Sequence, residues 1–257
     1  RRQISRRQFL RAASALPVAA ASGVGASPAM SAILPRVRPG MAGWPDTDSW
    51  DGLRRAVGGR LLAVRSPLRD CAAGAADPSC EALFRRPRNP YFLGDEPGLT
   101  QTLGWVDAWT SSPSAYAVAA ESAADVAAAV DFARTRNLRL AVKGGGHSYQ
   151  GTSNAADSLL VWTRRMHAIR LHDAFVPQGC KADPTTAVSI GAGALWGPVY
   201  DAVTTRGGRY VQGGGCLTVG VAGLVQSGGF GSFSRAYGVA AAHLLEAEIV
   251  TADGLVR

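Results

Sequence analysis

The chain contains a 26-residue stretch, residues 213–238, in which nine residues are glycine. It reads GGGCLTVGVAGLVQSGGFGSFSRAYG, with Cys216 directly after the first three glycines. Glycine at this density costs conformational entropy, and proteins keep it where the backbone turns with positive φ or closely approaches another group. The stretch therefore predicts a segment whose backbone lies against a bound cofactor.

A second glycine-rich stretch lies upstream, at residues 143–151, and reads KGGGHSYQG. It places His147 after three glycines, just as the downstream stretch places Cys216. Backbone N–H groups that follow a short strand suit the oxygens of a phosphate group. The three glycines before Cys216 allow backbone to lie close to a flat ring. Each stretch thus combines N–H donors with one nucleophilic side chain.

Together the two stretches resemble the vanillyl-alcohol oxidase superfamily, whose FAD-binding domain is of the PCMH (p-cresol methylhydroxylase) type. The similarity is to berberine bridge enzymes and bacterial oligosaccharide oxidases in particular. In that family a GGH histidine is bound to the flavin 8α-methyl group, and a cysteine in a GxCxxVGxxG stretch to its C6. The matching residues here are His147 and Cys216, followed by Val219, Gly220 and Gly223.

The resemblance covers about residues 110–257. It implies an α+β fold, a PCMH-type FAD-binding domain of two α+β subdomains that is incomplete here, with the substrate domain missing. It also implies FAD bound covalently through His147 and Cys216. The cofactor-binding residues are expected to be Gly144, Gly145, Gly146, His147, Ser148, Gly151, Gly215, Cys216, Val219, Gly220, Gly223, Gly229 and Val250.

The reaction implied is an FAD-dependent oxidoreduction. Hydride would pass from a CH–OH group, such as that of a sugar or another alcohol, to flavin N5, with molecular oxygen or another acceptor reoxidising the flavin. The catalytic base is expected beyond Arg257, and valine at position 219 favours an oxidase. Two alternatives stay open, a dehydrogenase with a quinone or cytochrome acceptor and a non-catalytic exported binding protein.

Several other classes are disfavoured. The net charge is +8, but five arginines and no acid lie in residues 1–11, which leaves 22 basic against 19 acidic residues. No basic run is interleaved with aromatics, so nucleic-acid binding is not expected. GAGALWG at residues 191–197 has the wrong glycine spacing for a dinucleotide site, and no P-loop motif is present. No Cys/His spacing indicates zinc.

The arginines near the start form part of a targeting pattern. Residues 5–11 read SRRQFLR, typical of a twin-arginine signal, and small apolar residues follow. We therefore predict a signal segment at residues 1–32 and export by the Tat machinery to the periplasm or the medium; a disordered basic terminus is the alternative. Since disulfides persist in oxidising compartments, a local Cys71–Cys80 bridge is expected, which leaves Cys180 as a buried or free thiol.

The rest of the chain divides into an N-terminal extension, residues 33–110, and the FAD-binding domain, residues 111–257. Ser122 and Asp125 form a capping box that predicts a helix start. Asp253 and Gly254 predict a hairpin turn with only three residues after it, so the natural protein is expected to continue. Strands are predicted at residues 115–121, 138–142, 158–162, 168–171, 188–192, 210–212 and 244–252, a loop at 172–186, and helical segments at 198–206 and within 217–226.

Overall fold

The computed structural model describes residues 35–71 and 78–257, so the predicted signal segment lies outside the described residues. Within those two ranges, no helix is both long enough and apolar enough to cross a membrane. The helices are α1 (Thr47–Ala56), α2 (Pro78–Arg85), α3 (Pro90–Asp95), α4 (Ala123–Thr135), α5 (Trp196–Tyr200), α6 (Val221–Gln226) and α7 (Ser234–Tyr237). The strands are β1 (Leu61–Ala63), β2 (Gly104–Trp105), β3 (Trp109–Thr110), β4 (Tyr116–Ala119), β5 (Arg139–Lys143), β6 (Ser158–Trp162), β7 (Ile169–Phe175) and β8 (Thr185–Ile190). A π-helical turn, Asp201–Arg206, continues α5, and 3-10 turns lie at Arg69–Cys71, Arg86–Arg88 and Ala240–His243.

The largest sheet has four strands in the order β1-β4-β6-β5. Strands β4 and β5 both pair with β6 in parallel, and β1 pairs with β4 antiparallel. All five residues of β6 are buried, and four of them (LLVW) are apolar, as expected for a central strand covered on both faces. The sheet places the end of β5, and therefore the first glycine stretch, at one of its edges.

The start of α4 is fixed by the predicted capping box. The Ser122 hydroxyl accepts a hydrogen bond from the Asp125 amide, and the Asp125 carboxylate accepts from the Ser122 and Glu121 amides. Arg60, which precedes β1, donates to the same carboxylate at 2.6 Å. Burial acts to raise the pKa of Asp125, but the bonds from Arg60 and the two amides outweigh it and lower the pKa. One buried carboxylate thus joins the helix start to the sheet.

An apolar core fills the space between α1, α4 and the sheet. Trp50 of α1 stacks on Tyr116 of β4 with ring centroids 4.1 Å apart, and it contacts the ring of Phe132 in α4. Leu53 and Val161 are buried in the same cluster. Because α1 and β1 belong to the N-terminal region, that region supplies part of the core of the sheet whose strand β5 leads into the first glycine stretch.

A second apolar cluster supports the downstream glycine stretch. It comprises Trp196 and Val199 of α5, Val203 of the π-helical turn and Val221 of α6, and the β7–β8 hairpin packs against it. The hairpin is antiparallel and has a β-bulge after His172. The α5 and α6 helices therefore hold the two ends of the segment that contains Cys216.

Most of the predicted elements are confirmed. The α+β class, the capped helix and the strand at residues 158–162 occur as expected. The predicted hairpin turn also forms, because Ile249 and Arg257 exchange backbone hydrogen bonds and Gly254 has φ of 82°. The Cys71–Cys80 disulfide is present. Cys180 is an exposed free thiol rather than a buried one.

Three predicted segments differ from the structure. The loop at residues 172–186 is shorter than predicted, because β7 continues to Phe175 and β8 begins at Thr185. Residues 210–212 do not form a strand, and within residues 244–252 only Val250 makes a bridge, to Val256. Apolar sequence is insufficient at these two places, since no described strand lies alongside to complete a ladder.

The buried carboxylate of Asp125 provides a test of this account. Asp125→Asn should lower the free energy of unfolding by about 2–4 kcal/mol, because the variant leaves Arg60 without its closest charged partner and weakens the cap. Asp131→Asn, on the exposed side of the same helix, removes only a surface pair with Arg134 and should cost less than about 1 kcal/mol. Chemical denaturation measures both. Equal losses in the two variants would contradict the assignment.

Candidate functional site

The first glycine stretch is anchored by a buried cation. Lys143, the last residue of β5, is only 1% exposed. Its ammonium group donates to the backbone carbonyls of Glu96, Pro97 and Leu99 at 3.0, 2.7 and 2.9 Å. Burial lowers the pKa of Lys143 to about 7, and the charge of Glu96 acts in the opposite direction. The N-terminal segment is thus bound to the residue that immediately precedes the three glycines.

The two glycine stretches meet backbone to backbone. A Cβ atom added to Gly145 would lie 2.7 Å from the amide nitrogen of Gly220 and 2.7 Å from the carbonyl oxygen of Thr218. A Cβ atom on Gly220 would lie 2.8 Å from the amide nitrogen of Gly145. Real Cβ atoms do not approach backbone this closely. Glycine is therefore required at both positions by the contact itself.

The same contact brings the two predicted nucleophiles to one hydroxyl group. His147 Nε2 lies 3.0 Å from Thr218 Oγ1, and Cys216 Sγ lies 3.5 Å from the same oxygen. Thr218 is 3% exposed, whereas His147 is half-buried and Cys216 is exposed. Burial lowers the pKa of His147, although a hydrogen bond with the backbone of Thr218 acts to raise it. The imidazole is therefore neutral at pH 7 and carries a nucleophilic lone pair.

The remaining predicted residues have varied surroundings. The Ser148 hydroxyl accepts hydrogen bonds from the amides of Gln150 and Thr152, so it closes its own loop. Gly215, beside Cys216, has no other group within 4 Å of a Cβ position, and the same is true of Gly223 in α6. These open positions leave the backbone beside Cys216 accessible to a ligand.

Other predicted residues make contacts within the protein. Gly151 lies on the ring of Trp109, and Gly229 packs beneath Ala240. Val219 packs at the margin of the second apolar cluster, and Val250 lies in the C-terminal hairpin. The structure therefore brings the glycines after Lys143, the two nucleophiles and Gly220 into one site. The assignment of all thirteen residues to the cofactor stays a prediction.

Comparison with known proteins agrees with this arrangement. The profile of a family described as "FAD binding domain" matches residues 113–257, more than half of the chain. The chain belongs to this family of FAD-binding domains. The chain is 35% identical over 242 residues to the FAD-linked oxidoreductase malF of Malbranchea aurantiaca, an alignment that covers 85% of this chain and 41% of malF. It is 33% identical over 246 residues to the FAD-linked oxidoreductase easE of Arthroderma otae, with 85% and 39% covered.

A solved structure shows the same fold in this FAD-binding domain. The VAO-type flavoprotein MtVAO615 from Myceliophthora thermophila C1 superposes with a TM-score of 0.74 at 30% identity, over 86% of this chain and 43% of that one. The PCMH-type resemblance expected from the two glycine stretches is thereby confirmed. The chain spans about two fifths of the length of the relatives it matches.

Two residues of the FAD-binding domain were not assigned a function from the sequence. Lys143 was visible only as the charged residue before three glycines, and its carbonyl partners lie 44 to 47 residues earlier in the chain. Thr218 lies two residues after Cys216, but a hydroxyl in a glycine-rich segment gives no signal of its own. Its significance depends on a contact with His147, which is 71 residues away.

The backbone contact between the stretches makes a direct prediction. Gly145→Ala and Gly220→Ala should each lower the free energy of unfolding by about 1–3 kcal/mol, because the added methyl group must displace backbone. Gly52→Ala is the control, since this glycine lies in α1 and its Cβ would meet only the end of the Arg55 side chain at 4.0 Å. That variant should be neutral or more stable by up to about 1 kcal/mol. Denaturation curves that rank the three variants otherwise would contradict the contact.

The lowered pKa of His147 predicts a pH effect on stability. In the unfolded chain the pKa returns to about 6.5, so below this pH unfolded His147 binds a proton that the folded form lacks. The free energy of unfolding should therefore fall as the pH drops through this value, and His147→Gln should remove that part of the slope. Denaturation of flavin-free protein between pH 5 and 8 measures it. Identical slopes in the two proteins would disprove the shift.

Proposed function

We propose that this domain holds FAD at the junction of its two glycine stretches, attached through His147 and Cys216, and that the complete protein is an FAD-dependent oxidoreductase. The observation that carries the proposal is the approach of both nucleophilic side chains to the Thr218 hydroxyl. The backbone contact between the two stretches brings together two residues that are 69 positions apart in sequence, so that one ligand can reach both side chains.

The residues present fit the cofactor. Gly145 and Gly220 exclude side chains from the junction, the thiol of Cys216 is exposed, and the neutral imidazole of His147 lies beside it. The backbone at Gly215 is open to a ligand. When bound, FAD supplies a two-electron acceptor for the oxidation of a substrate C–H bond.

At the junction, residues of this chain would attach the cofactor and hold it in place. His147 offers a ring nitrogen with a lone pair, because burial keeps the imidazole neutral. Cys216 offers an exposed thiol, whose sulfur lies 3.5 Å from the Thr218 hydroxyl oxygen. Lys143 fixes the start of the first glycine stretch through hydrogen bonds to three backbone carbonyls. These groups hold and orient, and none of them is proposed as the base that would remove the substrate proton.

The substrate, the acceptor and the location are part of the same proposal. A sugar or another alcohol as substrate and molecular oxygen as acceptor rest on the family resemblance and on the valine at position 219. Export by the Tat machinery rests on the SRRQFLR sequence at residues 5–11. The Cys71–Cys80 disulfide supports an oxidising destination, since such bonds persist there and are rare in the cytosol.

Peptide mapping with intact mass tests the attachment. In full-length protein produced with FAD available, we expect one FAD-sized mass increment, found on the peptides of both His147 and Cys216. His147→Ala and Cys216→Ala should each remove the link to its own peptide only. Cys180→Ala is the matched control, because this exposed free thiol has no place in the site and its loss should change nothing.

Two further results decide the functional part. Oxygen consumption with an alcohol or sugar substrate would support an oxidase, whereas turnover that needs an added quinone or cytochrome would favour a dehydrogenase. A colourless full-length protein without any adduct would overturn the proposal and favour a non-catalytic binding protein.

A further inference from the structure

Thr218 holds a central place that the family resemblance does not explain. Its side chain is 3% exposed, and its hydroxyl is the shared partner of His147 Nε2 and Cys216 Sγ. Its carbonyl oxygen packs against Gly145, so that its backbone is fixed by the contact between the two stretches. A buried hydroxyl held at both its backbone and its side chain has a defined orientation.

The chemistry of a hydroxyl group limits how it can serve both partners. Threonine has one O–H donor and lone pairs that accept. It can accept a hydrogen bond from the Cys216 thiol while it donates to His147 Nε2. These three groups then form a continuous chain of hydrogen bonds from sulfur to imidazole.

We propose that Thr218 relays the thiol proton of Cys216 to His147 and so activates Cys216 before the cofactor is attached. The proton on Sγ moves to Thr218 Oγ1 as the proton of Oγ1 moves to His147 Nε2. The products are a thiolate and an imidazolium ion, the threonine hydroxyl is regenerated, and no electron transfer is involved. Thr218 is a positioning residue in this scheme, because it acts through the two nucleophiles.

The geometry gives the proton one acceptor. His147 Nε2 is the basic nitrogen within hydrogen-bond distance of the hydroxyl. Burial lowers the pKa of His147, so the imidazole is neutral before the transfer and the imidazolium forms against this effect of burial. Cys216 is exposed, so water can reach the sulfur as the proton leaves. The second free thiol, Cys180, is exposed in the loop between β7 and β8 and has no such chain of hydrogen bonds.

Because Cys180 is a second free thiol, it serves as an internal control for the reactivity of Cys216 in the same molecule. Full-length protein is produced under riboflavin limitation so that Cys216 is unmodified, and its alkylation by iodoacetamide is followed at Cys216 and Cys180 by peptide mass. Thr218→Val should slow alkylation of Cys216 about tenfold, since the thiolate is the reacting form. Thr218→Ser keeps the hydroxyl and should restore at least half of the rate. Cys180 should react equally in all variants.

A double-mutant comparison separates a relay from simple packing. His147→Gln should slow Cys216 to the same extent as Thr218→Val, and the double variant should be no slower than either, because both changes break one chain. Independent, multiplying effects would overturn the relay, and so would an unchanged rate in Thr218→Val. If Thr218→Val does not fold, an unchanged Cys216 rate in His147→Gln overturns it equally.

The inference rests on the proposed function for its purpose but is measured without flavin. A slow Thr218→Val variant in a protein that never acquires FAD would leave the relay standing and overturn the cofactor attachment. FAD attached to both His147 and Cys216, together with a Cys216 alkylation rate that does not depend on Thr218, would overturn the relay and leave the cofactor attachment standing.

Discussion

The direct contact between Gly145 and Gly220 is the constraint on which the rest of this site depends. It joins the loop after β5, at the edge of the four-stranded sheet, to a segment held by α5 and α6 of the second apolar cluster. Only backbone fits between the two glycine stretches, so peptide groups rather than side chains set the distance between them. The positions of His147 and Cys216 follow from that distance, because each lies within four residues of the contact.

Buried polar groups give the surrounding scaffold its precision. The carboxylate of Asp125 fixes the start of α4 to the first strand, and the ammonium group of Lys143 fixes the end of β5 to a distant loop. Each charge is removed from water and hydrogen-bonded by several partners, as buried charges require. Apolar packing joins α1, α4 and the sheet, while these two groups add hydrogen bonds from α4 to Arg60 and from β5 to the carbonyls of residues 96–99.

Features that depend on neighbouring residues could be predicted from the sequence, whereas contacts between residues far apart in the chain could not. The capping box, the buried strand at residues 158–162 and the two runs of three glycines, each followed by a nucleophile, are features of a few neighbouring residues. The acceptors of Lys143 and the hydroxyl shared by His147 lie tens of residues away, so no periodicity reveals them. Residues 244–249 fail for a related reason: apolar alternation predicts a strand, but pairing requires a neighbour that the sequence pattern does not supply.

The carbonyl partners of Lys143 also bear on how the domain can be divided. Glu96, Pro97 and Leu99 belong to the region before residue 111, yet they are the only described acceptors for an ammonium group in the interior. Sequence similarity to the family profile begins at residue 113. The folding unit therefore begins earlier than the family match. A chain cut at residue 113 would retain both glycine stretches and both nucleophiles, but the Lys143 ammonium group would lose its three carbonyl partners.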